Sequence, residues 1–231
     1  MLTAAIVIGA SGGVGQALAD RLEGDAAFER VIRLSRRSLP SLDLLDEDSI
    51  AAAAGELQAA GVEPRLILDA TGFLHDKARG QMPERALREL TPEGLARAFA
   101  LNATGPALLM KYFLPLLPRQ GRAVFATLSA KVGSIGDNRL GGWHGYRASK
   151  AALNQLVRTA AIELRRRCPE ALCVSLHPGT VATPLSEPFS ARGLEVVSPE
   201  TAARRLLTAL AGLTPADSGG FYDYHGQPLP W

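Results

Sequence analysis

The sequence predicts an α/β protein: a single doubly wound parallel sheet with helices on both faces. Two observations carry that expectation. Short apolar runs recur along the whole chain, and amphipathic stretches of ten or more residues separate them. Strands alternating with helices in this way form parallel sheets covered on both sides. No linker breaks the period, so residues 1–231 read as one domain.

The elements follow in order. AAIVIG (4–9) is the first strand, and VGQALADRLEG (14–24) is the helix after it. RVIRLS (30–35) is the second strand, and Asp46, Glu47 and Asp48 suit the first turn of the next helix, where acids complement the helix dipole. RLILDAT (65–71) and AVFATLS (123–129) are further strands, with a long helical pattern, EGLARAFALNATGPALLMKYFLPLL (93–117), between them. A helix rich in alanine and leucine starts near GYRASK (145–150), and LCVSLHP (172–178) returns as a strand. Pro178, Pro184 and Pro188 make the next stretch irregular, which reads as a covering loop around 180–198. PETAARRLLTALAG (199–212) has proline near its start and glycine at its end, as helices do, and GGFYDYHG (219–226) suits a final edge strand.

Composition removes several function classes. The chain carries 25 basic and 23 acidic residues, a net charge of +2, so no broad nucleic-acid face is expected. The one arginine cluster, ELRRRC (163–168), fits a solvated helix terminus. Cys168 and Cys173 are too few for a disulfide framework, and a reducing, cytoplasmic setting fits them. The start of the chain reads as a strand rather than a signal, and no apolar stretch approaches the ~20 residues of a membrane span. His75, His144, His177 and His225 show no ligand spacing, so no metal is expected.

The glycines point to a ligand. IVIGASGGVGQALADRL places Gly9, Gly13 and Gly15 after the first strand and at the opening of a helix, with Ser11 and Val14 in the same loop. That context supplies a tight turn, a close backbone approach and a helix N-terminus, which together suit a pyrophosphate. The second strand ends in RLSRRS: Ser35, Arg36 and Arg37, with no acid for the ribose hydroxyls. Arginine matches phosphate bidentately, so a 2′-phosphate is expected and NADP(H) is preferred over NAD(H). Asp43 follows at a distance that suits the next strand-end loop, within reach of an adenine amino group.

Tyr146 and Lys150 are four residues apart, so on a helix they share a face. A lysine cation there favours the phenolate, which helps a phenol move protons near neutral pH.

In combination these motifs resemble the short-chain dehydrogenase/reductase family, whose fold is a single-domain Rossmann fold. GASGGVG (9–15), Asp43, LNATG around Asn102, YRASK (146–150) and HPGTVATP (177–184) occur in the family's order and span essentially the whole chain. LSAKVGSIGDNRLGGWHGYRASKAALN (128–154) is similar to the branch of sniffer-like carbonyl reductases and bacterial C-factor signalling proteins. The resemblance implies that Gly9, Gly13 and Gly15 line a diphosphate and Asp43 the adenine. It makes Tyr146 the acid/base, Lys150 the group that holds the ribose and lowers the tyrosine pKa, and Asn102 the organiser of a helix backbone and a proton-relay water. Pro178, Gly179, Val181 and Thr183 would meet the nicotinamide and diphosphate. A homodimer or homotetramer is implied in the same way.

Two departures stand out. The family's N-N-A-G becomes Asp69-Ala70-Thr71-Gly72, which keeps Gly72 alone of the usual contacts. The usual Ser-Ser-x-x-Gly becomes Ser129-Ala130-Lys131-Val132-Gly133, so Ala130 stands at the catalytic serine's position. Ser129 is favoured as its replacement, with Ser134 the alternative. Trp143 reads equally as a substrate lid or a packed loop aromatic. The expected function is reversible hydride transfer between NADP(H) and a small carbonyl or alcohol substrate. A dinucleotide-binding signalling protein with little turnover is the competing class. A sugar-nucleotide epimerase or dehydratase is disfavoured, because only about 50 residues follow HPG.

Overall fold

The computed structural model describes residues 2–189 and 195–231. The strands are β1 (Leu2–Ile8), β2 (Arg30–Leu34), β3 (Val62–Asp69), β4 (Ala123–Leu128), β5 (Ala171–Leu176), the two-residue β6 (Thr180–Val181) and β7 (Val196–Val197), and β8 (Phe221–Tyr222). The helices are α1 (Gly13–Leu22), α2 (Glu47–Ala59), α3 (Pro92–Phe99), α4 (Gly105–Phe113), α5 (His144–Arg167) and α6 (Pro199–Gly212). Six strands form one all-parallel sheet in the order β2-β1-β3-β4-β5-β8.

Alternation along the strands makes two cores. Ile6 and Ile8 face one way, into a cluster with Phe113, Phe125 and Leu153 under α2, α4 and α5. Ala5 and Val7 face the other way, with Leu18, Val174 and Leu206 under α1 and α6. Phe113 and Phe125 are fully buried, each worth about 1.5–3 kcal/mol against exposure.

The chain runs from β1 outward to β2 and then returns across β1 to β3. A crevice therefore opens between the C-terminal ends of β1 and β3, where ligands of open α/β sheets bind. Register sets what reaches it. Ile8 pairs Asp69, Asp69 pairs Thr127 and Leu128 pairs Leu176, so Gly9 and Ala70 stand level with Leu128 and Leu176, and Ser129 and His177 emerge one residue beyond.

Three parts differ from expectation. The segment before Asp43 is not a strand but a single parallel bridge, Ser35 to Ser41. Pro40 lacks an N–H for a ladder, and Ser38 Oγ bonds Ser35 N, Ser35 O and Pro40 O, which curls the chain instead. The helical pattern at 93–117 is interrupted by a π-turn at Ala100–Thr104, where the Gly105 N–H reaches back to Ala100 O. In the covering segment, β6 and β7 pair with each other, and residues 190–194 of that expected loop lie outside the described residues.

Candidate active site

The first wall of the site is the turn after β1. Gly9 takes a left-handed φ of 81°, and its N–H bonds Leu34 O at 2.9 Å, anchoring the turn to the end of β2. Gly15 packs so closely under Gly9 that a Cβ there would stand 2.3 Å from Gly9 O. The loop thus holds its backbone at the rim of a cavity of about 940 Å³, lined here by Ser11, Gly12, Gly13 and Val14. Thr183 Cγ2 lies 3.0 Å from where a Gly13 Cβ would sit, bringing the segment after β5 against the glycine loop.

The same cavity receives Gly72, Ser129, Tyr146, Lys150, Pro178, Gly179, Val181 and Thr183. Eleven of the expected site residues therefore converge, counting Ser11, Gly13 and Val14 with these eight. Gly9 and Gly15 lie beneath the loop and shape it. Arg36 and Arg37 stand exposed just past β2, next to the anchored glycine turn, and form no ion pair among the described residues. Asp43 does not line the cavity; its Oδ1 accepts from Leu45 N at 3.0 Å, and Ser49 Oγ accepts from its N–H.

The two candidate serines separate clearly. Ser134 is buried, away from the cavity, and its Oγ accepts from Asp137 N at 3.0 Å. Ser129 lines the cavity, and its buried Oγ has no partner among the described residues. Ala130 lines the cavity beside it.

Tyr146 and Lys150 stand one turn apart on α5. Burial pushes the Tyr146 phenol up to about 12, so the expected lowering by Lys150 is not the dominant effect in this structure. The physical reason is desolvation, and the Lys150 ammonium is directed to Leu128 O at 2.8 Å. Burial brings Lys150 itself down to about 8, with Asp69 acting in the opposite sense. Asn102, in the π-turn, does not reach the cavity. It exchanges two 2.8 Å hydrogen bonds with the Phe73 backbone and donates to Ser149 Oγ at 3.1 Å, clamping the β3 loop to α5.

Several supporting residues had no clear sequence signal. Gly141, Gly142 and Trp143 all take left-handed φ values, of 65°, 64° and 52°. This bend sets the Trp143 ring against Tyr146 and Phe189, with centroids 6.2 and 5.1 Å apart. Arg147 braces the bend through the carbonyls of Val132, Gly141 and Gly142. Glu84, from a remote loop, accepts the Gly145 N–H at 3.1 Å and so caps the helix that carries the Tyr-Lys pair. No group of three or more metal-ligating side chains occurs among the described residues.

A profile described as Enoyl-(Acyl carrier protein) reductase, of the short-chain dehydrogenase type, matches residues 10–211. The chain belongs to the short-chain dehydrogenase/reductase family. Within that family it is 37% identical over 147 residues to the C-signal protein of Myxococcus xanthus, covering 63% of this chain and 84% of that one. It is 31% identical over 192 residues to the 1-hydroxy-2-glutathionyl-2-methyl-3-butene dehydrogenase of a Rhodococcus species, covering 83% of this chain and 79% of the relative. The NADPH-bound carbonyl reductase from chicken fatty liver superposes with a TM-score of 0.85 at 25% identity, over 99% of this short-chain dehydrogenase/reductase and 98% of that chain.

Proposed function

We propose that the protein is an NADP(H)-dependent oxidoreductase that interconverts a small carbonyl compound and its alcohol, with Tyr146 as the proton donor and acceptor. The observation that carries this reading is the convergence of Tyr146 and Lys150 with the glycine loop in one cavity. The residues fit the cofactor: a glycine loop held tight by the Gly9–Gly15 contact, presenting the Ser11 to Val14 backbone at the cavity, and two exposed arginines past β2 suit a diphosphate and a 2′-phosphate. Bound NADP(H) supplies the hydride exchanged with the carbonyl carbon. Ser11 to Val14 would hold the diphosphate, Arg36 with Ser35 the 2′-phosphate, and Pro178 to Thr183 the nicotinamide side.

The chain's own part is proton handling. Tyr146 gives its phenolic proton to the forming alkoxide oxygen in reduction and takes it back in oxidation. Ser129 orients the carbonyl oxygen: it lines the cavity at the end of β4, and its Oγ has no partner among the described residues. Lys150 supplies positive charge beside the phenol, and Asn102 fixes the backbone around it. NADPH binding by the chicken liver enzyme and alcohol oxidation by the Rhodococcus relative support the same class of chemistry. No helix among the described residues is long and apolar enough to cross a membrane. We assign residues 1–231 to one domain, the cytoplasm as its compartment on the strength of two free cysteines, and a homodimer or homotetramer as its assembly.

Titration with NADPH and NADH, followed by fluorescence, tests the cofactor assignment when run alongside Arg36→Ala. Selective loss of NADPH affinity supports it; equal affinities, unchanged in the variant, refute it. A second reading, a signalling protein with little turnover, draws on Ala130 and on the likeness to C-signal. Tyr146→Phe distinguishes the two: the enzyme loses turnover and its biological effect together, whereas a sensor keeps the effect.

A further inference from the structure

Asp69 is a buried acid that the reaction above does not use. It ends β3, is 1% exposed, and stands where the family pattern has asparagine. Its carboxylate takes three hydrogen bonds: Oδ1 accepts from Thr71 N at 3.0 Å and Thr71 Oγ1 at 2.6 Å, and Oδ2 accepts from Thr127 Oγ1 at 2.6 Å. Burial raises the Asp69 carboxyl above its ordinary value, while these three donors and the charge of Lys150 act against burial in favour of the ionised form.

Lys150 approaches the same strand ends from the other side. Its Nζ bonds Leu128 O, the residue after Thr127, and lies 3.9 Å from where a Gly72 Cβ would stand, three residues beyond Asp69. Asp69 and Thr127 are register partners, so acid and ammonium bracket one corner of the sheet. The pair is not in direct contact, since no Asp69–Lys150 ion pair forms among the described residues.

We infer that Asp69 is a positioning residue of the proton-transfer machinery: the buried counter-charge that keeps Lys150 cationic beside Tyr146. The inference rests on the oxidoreductase reading for its purpose, though not for its test. The other titratable groups around Lys150 do not do this work. Tyr146, on the same helix, is neutral, because burial holds its phenol up near 12. His177, at the end of β5, is neutral, because burial lowers it to about 4. Lys131, on the turn after β4, is a cation half-exposed and paired with Asp137 at 3.7 Å. Asp137 also lines the cavity, but it is exposed and paired with Lys131, which leaves Asp69 as the buried negative charge at this corner of the sheet, and burial disfavours a cation that has no such partner.

A purely structural acid that ties β3 to β4 makes a different prediction. Asp69→Asn keeps shape and bonding: the amide oxygen still accepts from Thr71, and the amide N–H donates to Thr127 Oγ1. Only the charge is lost. The chain has four lysines, Lys77, Lys111, Lys131 and Lys150, so ¹³Cε-labelled lysine gives four NMR signals to titrate. In Asp69→Asn the Lys150 signal should titrate about one to two pH units lower, a tenfold to hundredfold fall in its protonation constant. Thr71→Val, which removes one donor from the carboxylate, should move it less and in the same direction. The alkaline limb of kcat/KM for carbonyl reduction should move with it. An unmoved Lys150 signal overturns the inference, whatever the activity. A moved signal in a protein that reduces no carbonyl compound upholds it and removes the oxidoreductase reading instead.

Discussion

Replacing Gly15 by alanine should damage this protein in a way that replacing Gly13 does not. A Cβ on Gly15 would stand 2.3 Å from Gly9 O, 2.8 Å from Gly9 C and 3.1 Å from Ala10 Cα. Carbon and oxygen tolerate each other from roughly 3.3 Å outward, so the overlap is about 1 Å. All three atoms are backbone, with no side chain to swing aside. Gly9 is itself held in a left-handed turn and tied to Leu34. Overpacking of this kind costs about 1–3 kcal/mol, and the helix preference of alanine over glycine returns up to about 1 kcal/mol. A net loss of about 1–2 kcal/mol in a domain of this size lowers Tm by about 2–8 °C. The larger effect falls on binding. Opening the turn by about 1 Å misdirects the N–H groups from Ser11 to Val14, and NADPH affinity should fall at least tenfold, about 1.4 kcal/mol. At Gly13 the nearest atom is the Thr183 Cγ2 methyl at 3.0 Å, a side-chain group that can rotate. Gly13→Ala should therefore stay within about 1 kcal/mol of the parent in stability. Thermal unfolding and NADPH titration of both variants provide the assay. Parental Tm and NADPH affinity in Gly15→Ala would refute the reasoning.

Other outcomes follow from the same geometry. Glu84→Ala removes the acceptor for the Gly145 N–H and should cost about 1–2 kcal/mol in urea unfolding, while Glu84→Gln, which keeps an acceptor, should cost less. Burial lowers His177 from 6.5 to about 4, so between those values the unfolded chain binds the extra proton and the folded one does not. Stability should thus fall as pH drops from 6.5 to 4, by at most about 3 kcal/mol, and His177→Phe should flatten that part of the pH–stability curve. Tyr146→Phe should lose carbonyl turnover by at least about a hundredfold while keeping NADPH affinity within about twofold, as steady-state kinetics and titration will read.

Much of this architecture was legible in the residues alone. Five apolar runs became the first five strands, β1 to β5, because parallel strands covered by helices need little beyond continuous hydrophobicity and a turn at each end. The glycine loop was legible because Gly9, Gly13 and Gly15 are spaced for one tight strand-to-helix turn. What stayed hidden depends on distant partners. Nothing near Glu84 in sequence announces that its carboxylate caps a helix starting 60 residues later. The strand expected before Asp43 failed because Ser38 found local acceptors, a competition that apolar spacing does not register. The contribution of burial to the Tyr146 phenol is hidden from the sequence for a related reason. Spacing placed a cation nearby, but only coordinates reveal how much water the phenol gives up and where the ammonium points.

The π-turn at Ala100–Thr104 also says something about this gene's tolerance to change. One extra residue is lodged there, and a regular α-helix has no place for it. Deleting a single codon in that stretch would let α3 and α4 merge into an unbroken rod, with the flanking turns kept on their faces and the side chains within the stretch re-aimed. The Asn102 clamp on Phe73 and Ser149 would be lost as the local backbone became more regular. Substitution scans would mark these five positions as ordinary helix, whereas a scan of one-residue deletions should show them as a sharp minimum in activity. Length, rather than residue identity alone, is under constraint there.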